Sequence, residues 1–288
     1  MSTHEIKGRE RIGGFFKGHL GRVITAVVLL PILYFVVRYG PFYVFFLLVA
    51  GGILIGQYEF YRFYFPQNHL PRIFLGLILG FLLALSFHLN LIYTASNLPA
   101  LLLTLIIICA MLFSLFTVRE IKTALNDTAV MIFGVVYVSF LLSHLLPLRD
   151  LPEGQWLILF VLGITWLCDA GAYYVGQMMG RKSLAPRISP QKTIEGALGG
   201  LAFSVLGTLG AKFWFLPALS VADSIFAGLL LGVVGQLGDL VESLWKRSAG
   251  VKDSSALLMS HGGILDKVDS LIFTAPVFYY YLVLVKGY

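Results

Sequence analysis

The sequence predicts an all-α polytopic membrane protein with about nine transmembrane helices, its N-terminus in the cytoplasm and its C-terminus outside. Three observations support this fold class. The 288 residues are 58% hydrophobic and only 12% charged. Apolar runs of roughly 20 residues, the length that spans a bilayer, recur along the chain. Most lysines and arginines fall in alternate connections between those runs, as expected for cytoplasmic loops.

The composition restricts both the solvent and the partners of the protein. Soluble domains carry about 25% charged residues, so a chain with 12% cannot cover itself with a wetted surface and must be solvated by lipid. In a membrane protein, a net charge of +6 marks cytoplasmic loops and contacts with anionic headgroups, so no nucleic acid is expected. Cys109 and Cys168 lie within apolar runs without a metal-binding spacing, and neither a zinc site nor a disulfide framework is expected.

Nine apolar segments define the predicted spans. The first follows a polar, basic segment, residues 1–22, and no small-x-small cleavage site comes after it, which favours a retained span over a signal peptide. The predicted boundaries are 21–38, 41–60, 72–93, 98–118, 128–148, 155–177, 194–216, 222–243 and 267–285. Residues 1–150 form a predicted transmembrane scaffold of about five helices. Residues 151–288 form a predicted catalytic region of about four helices, with cytoplasmic loops at 180–193 and 244–266.

The positions of the cations determine the predicted orientation. With the N-terminus in the cytoplasm, all but four of the 21 lysines and arginines fall on the cytoplasmic side. The exceptions are Arg38, Arg149, Lys212 and Lys286. One span more or fewer would move a loop with four cations outside, so the positive-inside rule supports nine spans. The predicted location is the inner (cytoplasmic) membrane, with the active site on the cytoplasmic side.

Acidic residues are concentrated in the last four predicted spans, whereas the first five carry almost no buried ionisable groups. A carboxylate at the bilayer centre costs about 2.5–3.5 kcal/mol to insert, so each one needs a partner or water. The predicted topology places five acids towards the cytoplasmic side: Asp169, Asp239, Glu242, Asp266 and Asp269. Their convergence predicts a functional site in the second half of the chain.

Helical spacing groups these acids further. Asp239, Glu242, Ser243 and Lys246 follow an i, i+3, i+4, i+7 pattern and share one helix face. Asp266 and Asp269 share a face at the start of the next span. Two acidic faces brought together would bind a divalent ion such as Mg²⁺, which takes carboxylates together with substrate phosphates. The alternatives are a first-turn acid for Asp266 and an i, i+4 ion pair for Glu242 and Lys246.

Cations surround the acidic positions and could neutralise phosphate groups. The alternative is that they are loop residues whose charged ends reach the interface. They are Lys246, Arg247, Lys252 and Lys267. Between them, His261, Gly262 and Gly263 form a predicted hinge, where glycine permits close backbone approach to a ligand.

A second polar segment, residues 187–196, precedes the seventh span. It contains Ser189, Lys192, Thr193 and Glu195. Its simplest interpretation is a Ser/Pro turn and a helix start, with Glu195 as a first-turn acid. The functional interpretation is a loop that contacts phosphate or nucleotide on the cytoplasmic face. No GxxxxGK[ST] phosphate-binding loop occurs in the chain.

Three segments together resemble the signature of the CDP-diacylglycerol synthases, also called phosphatidate cytidylyltransferases. They are the 27-residue run from Ser243 to Asp269, the segment from Ser189 to Gly196, and the segment from Asp169 to Tyr173. The long run has many fixed positions and is highly specific, while the first 150 residues match in character only. Three residues depart from the family pattern: Trp245, Met259 and Lys267.

The resemblance implies an enzyme that converts CTP and phosphatidic acid into CDP-diacylglycerol and pyrophosphate. It implies Mg²⁺ held by Asp239, Asp266 and Asp269, with a second cation such as K⁺. Phosphates would be neutralised by Lys192, Lys246, Arg247, Lys252 and Lys267. Substrate groups would be contacted by Ser189, Thr193, Ser243, His261, Gly262, Gly263 and Asp169. A homodimer is a further expectation.

Two other functions remain as alternatives. A CTP-dependent kinase of a polyprenol or phytol would use similar loops but would transfer the γ-phosphate and release CDP. A cation-coupled transporter also carries intramembrane carboxylates, but it would favour acids at the midplane and broken helices in repeated halves. The sequence displays neither of those features.

Overall fold

The described chain is a helical bundle in which eight helices are long and apolar enough to cross a membrane. The computed structural model describes residues 30–65, 70–93, 97–117, 120–251 and 263–288. A shorter apolar helix, α1, covers Leu30–Tyr39. The membrane-spanning helices are α2 (Phe42–Tyr64), α3 (Leu70–Tyr93), α4 (Leu98–Thr117), α5 (Ile121–Asp150), α6 (Gly154–Met179), α7 (Ile194–Trp214), α8 (Val221–Ser248) and α9 (Leu265–Lys286).

These helices confirm the predicted all-α polytopic fold and eight of the nine predicted spans. The first predicted span, 21–38, is described only from residue 30 onwards. The largest boundary difference is in α5, which begins at Ile121 rather than 128. Its first turns carry Lys122 and Asp127, whose polarity hides the helix from an apolar search. The orientation of the chain across the membrane stays a prediction.

The first five helices hold more buried charge than expected, so that prediction is wrong. The buried ionisable residues in this half include Glu59, Arg72, Asp127 and Arg149. Arg72 of α3 lies 3.1 Å from Asp127 of α5. Arg149 donates to the carbonyl oxygens of Val37 (3.1 Å) and Gly40 (3.0 Å). Most of these charges have partners on other helices, which a search along one helix cannot show.

Small residues allow the helices of the second half to pack closely. Ser204 of α7 donates to the Gly228 carbonyl of α8 at 2.8 Å, and Thr208 donates to the Ser224 carbonyl at 2.7 Å. On the other side of α8, a Cβ added at Gly238 would lie 2.8 Å from the Asp269 carbonyl oxygen of α9. Such contacts are typical of helix pairs in membranes, and they bring the acidic end of α8 against α9.

The predicted loop 180–193 contains a small antiparallel hairpin, β1 (Ser183–Ala185) and β2 (Ser189–Thr193). The expected helix start is confirmed, because the Thr193 hydroxyl accepts from the Gly196 amide at 3.1 Å and caps α7. The segment expected to form a Ser/Pro turn is instead strand β2 of this hairpin. Glu195, in the first turn of α7, accepts from the amides of Arg181 (3.0 Å) and Lys182 (3.2 Å), which holds the base of the hairpin against the helix.

Candidate active site

The hairpin and the end of α8 meet through an ion pair. The Lys192 ammonium on β2 contacts the Asp239 carboxylate on α8, and about 30% of each side chain is exposed. The two residues are far apart in sequence, and sequence reasoning assigned them separately to phosphate and metal binding. Their contact places the second polar segment in the same site as the acidic helix.

Three carboxylates from three helices lie within electrostatic range of one another. The negative charge of Asp239 repels the carboxylates of Asp169 on α6 and Asp269 on α9, and the carboxylates of Asp169 and Asp269 also repel each other. One Asp269 oxygen, Oδ1, accepts from the Ser270 amide at 2.6 Å. Among the residues that the structure describes, no three His, Cys, Asp or Glu side chains cluster tightly enough to hold a metal ion by themselves. A bound ion would therefore need further oxygen donors.

Lys246 forms a second cluster at the end of α8. Its ammonium lies 2.5 Å from Glu242 Oε2 and 2.7 Å from Asp266 Oδ1. The other Asp266 oxygen accepts from the Gly263 amide at 2.8 Å. The two alternatives from the sequence, an i, i+4 pair for Glu242 and a first-turn acid for Asp266, are thus confirmed as contacts. The assignment of Asp266 to the metal stays a prediction.

Arg247 faces the hairpin from the end of α8. Its guanidinium donates to the carbonyl oxygens of Ile188 (3.2 Å) and Val251 (3.1 Å). Arg247 is exposed, so it remains accessible to a ligand while it holds the hairpin to α8. Lys267, at the start of α9, is also exposed.

The remaining predicted site residues divide into two groups. Ser189 and Thr193 lie on β2, and Ser243 lies half-buried on α8, one turn before Arg247. Three predicted residues lie outside the described residues: Lys252, His261 and Gly262. Met259, one of the departures from the family pattern, also lies outside them.

Trp245, another departure, contributes to packing between the two halves of the chain. Its ring meets Phe133 of α5 edge to face, with centroids 5.2 Å apart. The Tyr64 hydroxyl of α2 lies 3.2 Å from the Trp245 carbonyl oxygen and 2.6 Å from the Ser248 hydroxyl. Trp245 therefore packs against an aromatic partner on α5, and its departure from the family pattern is explained as a difference in packing between these two helices.

Sequence reasoning missed Glu59, which reaches the site from α2. Its carboxylate accepts from the amides of Ile264 (3.2 Å) and Leu265 (2.8 Å) at the start of α9. The side chain is only 1% exposed. A lone acid in an apolar span is a signal of function, and that signal could have identified Glu59 from the sequence.

A comparison of the sequence with protein families gives a match over almost the whole chain. The profile of the cytidylyltransferase family matches residues 20–285. This range includes the hairpin, the end of α8 and the start of α9, where the site residues lie. The chain therefore belongs to the cytidylyltransferase family.

Three relatives illustrate the similarity, and two of them are named phosphatidate cytidylyltransferases. The chain is 33% identical over 294 residues to a phosphatidate cytidylyltransferase of Synechocystis, with 91% of this chain and 96% of the relative aligned. It is 44% identical over 151 residues to a phosphatidate cytidylyltransferase of Staphylococcus aureus, and 57% of that relative is covered. It is 40% identical over 163 residues to an uncharacterized protein, YnbB, of Escherichia coli K12, and 54% of that relative is covered.

Proposed function

We propose that the protein is a phosphatidate cytidylyltransferase, which transfers the CMP moiety of CTP to phosphatidic acid. The observation that carries the proposal is the joining of the hairpin to the acidic end of α8 by Lys192 and Asp239, in a chain of the cytidylyltransferase family. Cations and carboxylates at one end of a helical bundle suit a reaction between a soluble triphosphate and a lipid phosphate. Membrane lipid is both the solvent of the protein and the source of one substrate.

The cations would bind and neutralise phosphate oxygens. Lys192, Lys246 and Lys267 would act as point charges, whereas the guanidinium of Arg247 offers a fork of donors. Lys192 and Lys246 are already paired with carboxylates, which holds their ammonium groups in place before substrate binds. Preorganised charge of this kind stabilises the negative charge that develops during transfer.

The carboxylates fit a hard divalent cation such as Mg²⁺ by the chemistry of their oxygen donors. Mg²⁺ binds one or two carboxylates together with substrate phosphates, so it does not need a tight cluster of three acids. Asp239 and Asp269 would hold the ion, because they come from adjacent helices and their negative charges repel each other. A cation bound between them would relieve this repulsion. Asp266 fits less well, since its oxygens accept from Lys246 and from the Gly263 amide. When bound, Mg²⁺ supplies neutralisation of phosphate charge.

The reaction is an in-line substitution at phosphorus. A phosphate oxygen of phosphatidic acid forms a bond to the α-phosphorus of CTP, the bond between the α-phosphorus and its bridging oxygen breaks, and pyrophosphate leaves. Phosphatidic acid is already ionised near neutral pH, so no general base is required. The residues of the protein therefore contribute orientation and charge neutralisation.

The proposal includes a location and an orientation. The protein would lie in the inner membrane with nine spans, its N-terminus and active site on the cytoplasmic side and its C-terminus outside. Cysteines introduced one at a time into residues 180–193 and after Lys286 would test this orientation in inverted vesicles. Labelling of both positions from the same side would contradict it.

The decisive experiment is incubation of the purified protein with CTP, Mg²⁺ and phosphatidic acid. We expect pyrophosphate and CDP-diacylglycerol in equal amounts. Release of CDP with a polyprenol or phytol as acceptor would instead identify a lipid kinase, and cation flux without either product would identify a transporter. Omission of K⁺ tests the second cation, and the mass of the detergent-solubilised protein tests the homodimer.

A further inference from the structure

We propose that Glu59 is a positioning residue for the transfer reaction: from the amino-terminal half of the chain, its carboxylate fixes the start of α9 and thereby the placement of Asp266 and Asp269. This inference rests on the proposed function for its kinetic part. The structural part, the capping of α9 by a side chain of α2, stands on the contacts of the described residues.

The start of α9 obtains its cap from another helix. The first amides of any helix have no partner within the helix and need an acceptor. At Ile264, which precedes α9, no side-chain cap from the local sequence is present. The Glu59 carboxylate accepts from the amides of Ile264 and Leu265 instead. A carboxylate at this position also has a favourable interaction with the helix dipole.

The two capped amides immediately precede the acidic residues of α9. Asp266 follows Leu265 directly, and it joins α9 to α8 through Lys246 at 2.7 Å. Asp269 lies one turn further on, against Gly238 of α8. At a rise of about 1.5 Å per residue, both acids lie within about one turn of the capped amides. Because residues in a helix move together, a shift at the start of α9 displaces both carboxylates. Displacement of a catalytic group by about 1 Å can reduce turnover roughly 100-fold.

The end of α2 also holds the neighbouring helix. Tyr64, near the end of α2, contacts the carbonyl oxygen of Trp245 and the hydroxyl of Ser248 at the end of α8. The last part of α2 therefore contacts both helices that carry the candidate metal ligands, one through Glu59 and one through Tyr64. The distance between the end of α8 and the start of α9 is thus set partly from outside the second half of the chain.

The burial of Glu59 indicates that its carboxylate is there to accept hydrogen bonds from the start of α9. The side chain is 1% exposed, and a buried carboxylate is costly unless its hydrogen bonds are satisfied. An apolar residue of similar volume would fill the same space but would leave the two amides without an acceptor. A carboxylate is the side chain whose two oxygens can serve two adjacent amides at once.

The test compares Glu59→Gln with Glu59→Asp and with a matched control, Asp127→Asn. Glutamine keeps the volume but has one acceptor oxygen for two amides, whereas aspartate keeps both oxygens on a shorter side chain. Among the described residues of the first half, Asp127 is also a buried acid, but it pairs within that half, with Arg72. Folded protein is isolated by size exclusion in detergent, and two properties are measured: hydrogen–deuterium exchange of the segment 263–270, and kcat and KM for phosphatidic acid.

We expect Glu59→Gln to accelerate exchange in this segment and to lower kcat about tenfold, while KM for phosphatidic acid changes less than about twofold. Glu59→Asp should recover part of the protection from exchange and part of kcat. Asp127→Asn should leave the exchange of this segment and kcat unchanged in the folded fraction. Unchanged exchange in Glu59→Gln, or an equal loss in Asp127→Asn, would overturn the proposal. If Glu59→Gln does not fold, the exchange and kcat of Glu59→Asp decide in the same way. If the unmodified protein makes no CDP-diacylglycerol, the proposed function fails, whereas the exchange data still decide the capping role.

Discussion

Replacement of Lys246 by methionine should destabilise the protein and also abolish its activity, for two separable reasons. The Lys246 ammonium lies 2.5 Å from Glu242, whose side chain is fully buried, and 2.7 Å from Asp266, whose side chain is 18% exposed. Removal of one partner of a buried ion pair costs about 3–5 kcal/mol, because the other charge remains buried without compensation. Asp266 retains the Gly263 amide, so the cost arises mainly at Glu242.

The double variant Lys246→Met/Glu242→Gln separates the two effects. It removes the uncompensated charge, and we expect its stability to return to within about 1 kcal/mol of the unmodified protein. Its activity should remain lost if Lys246 neutralises a phosphate in the reaction. Glu242→Gln alone is the control, since it leaves Lys246 paired with Asp266.

Thermal unfolding in detergent and release of pyrophosphate measure the two effects. A loss of about 3 kcal/mol corresponds to a decrease of roughly 10 °C in Tm for a chain of this size. If the double variant unfolds at the same low temperature as Lys246→Met, then the ion pair with Glu242 is not the source of the instability. If the double variant regains turnover, then Lys246 has a structural role alone.

Three further predictions concern the proposed site. Asp269→Asn should abolish Mg²⁺-dependent release of pyrophosphate while the protein elutes as a folded species in detergent, and substantial activity would remove Asp269 from the metal set. Lys267→Arg should keep kcat within about twofold or raise it, because the side chain is exposed and arginine offers a bidentate phosphate contact; inactivation would show that the site depends on lysine. Arg247→Lys should raise KM for CTP about three- to tenfold, because lysine lacks the planar fork whose two nitrogens separately reach the carbonyl oxygens of Ile188 and Val251. An unchanged KM for CTP would contradict that role.

The membrane spans could be predicted because one physical requirement acts on each helix separately. A span must be apolar over its length, so α4, predicted as 98–118, is observed as Leu98–Thr117. The start of α5 could not be predicted in this way, because Asp127 is polar and is compensated by Arg72 on another helix. Hydropathy measures the cost of burying a charge, whereas its compensation depends on the tertiary structure.

The site was predicted in part for the same reason. Spacing along one helix identified the pair of Glu242 and Lys246, because the i, i+4 relation is local. The contact between Lys192 and Asp239 required the packing of the hairpin on α8. Glu59 was missed because its acceptor role joins residues 205 positions apart in the sequence, and no local pattern records such a contact.

The hydroxyl bonds between α7 and α8 limit how these helices can move during turnover. Ser204 and Thr208 are buried, and each donates to the carbonyl of a buried residue of α8. Sliding of one helix along the other by a single residue, about 1.5 Å, would break both bonds and leave their polar groups buried without partners. The two helices therefore behave as one mechanical unit, and access of a lipid substrate has to be accommodated at their ends or at their outer faces rather than by separation of the pair.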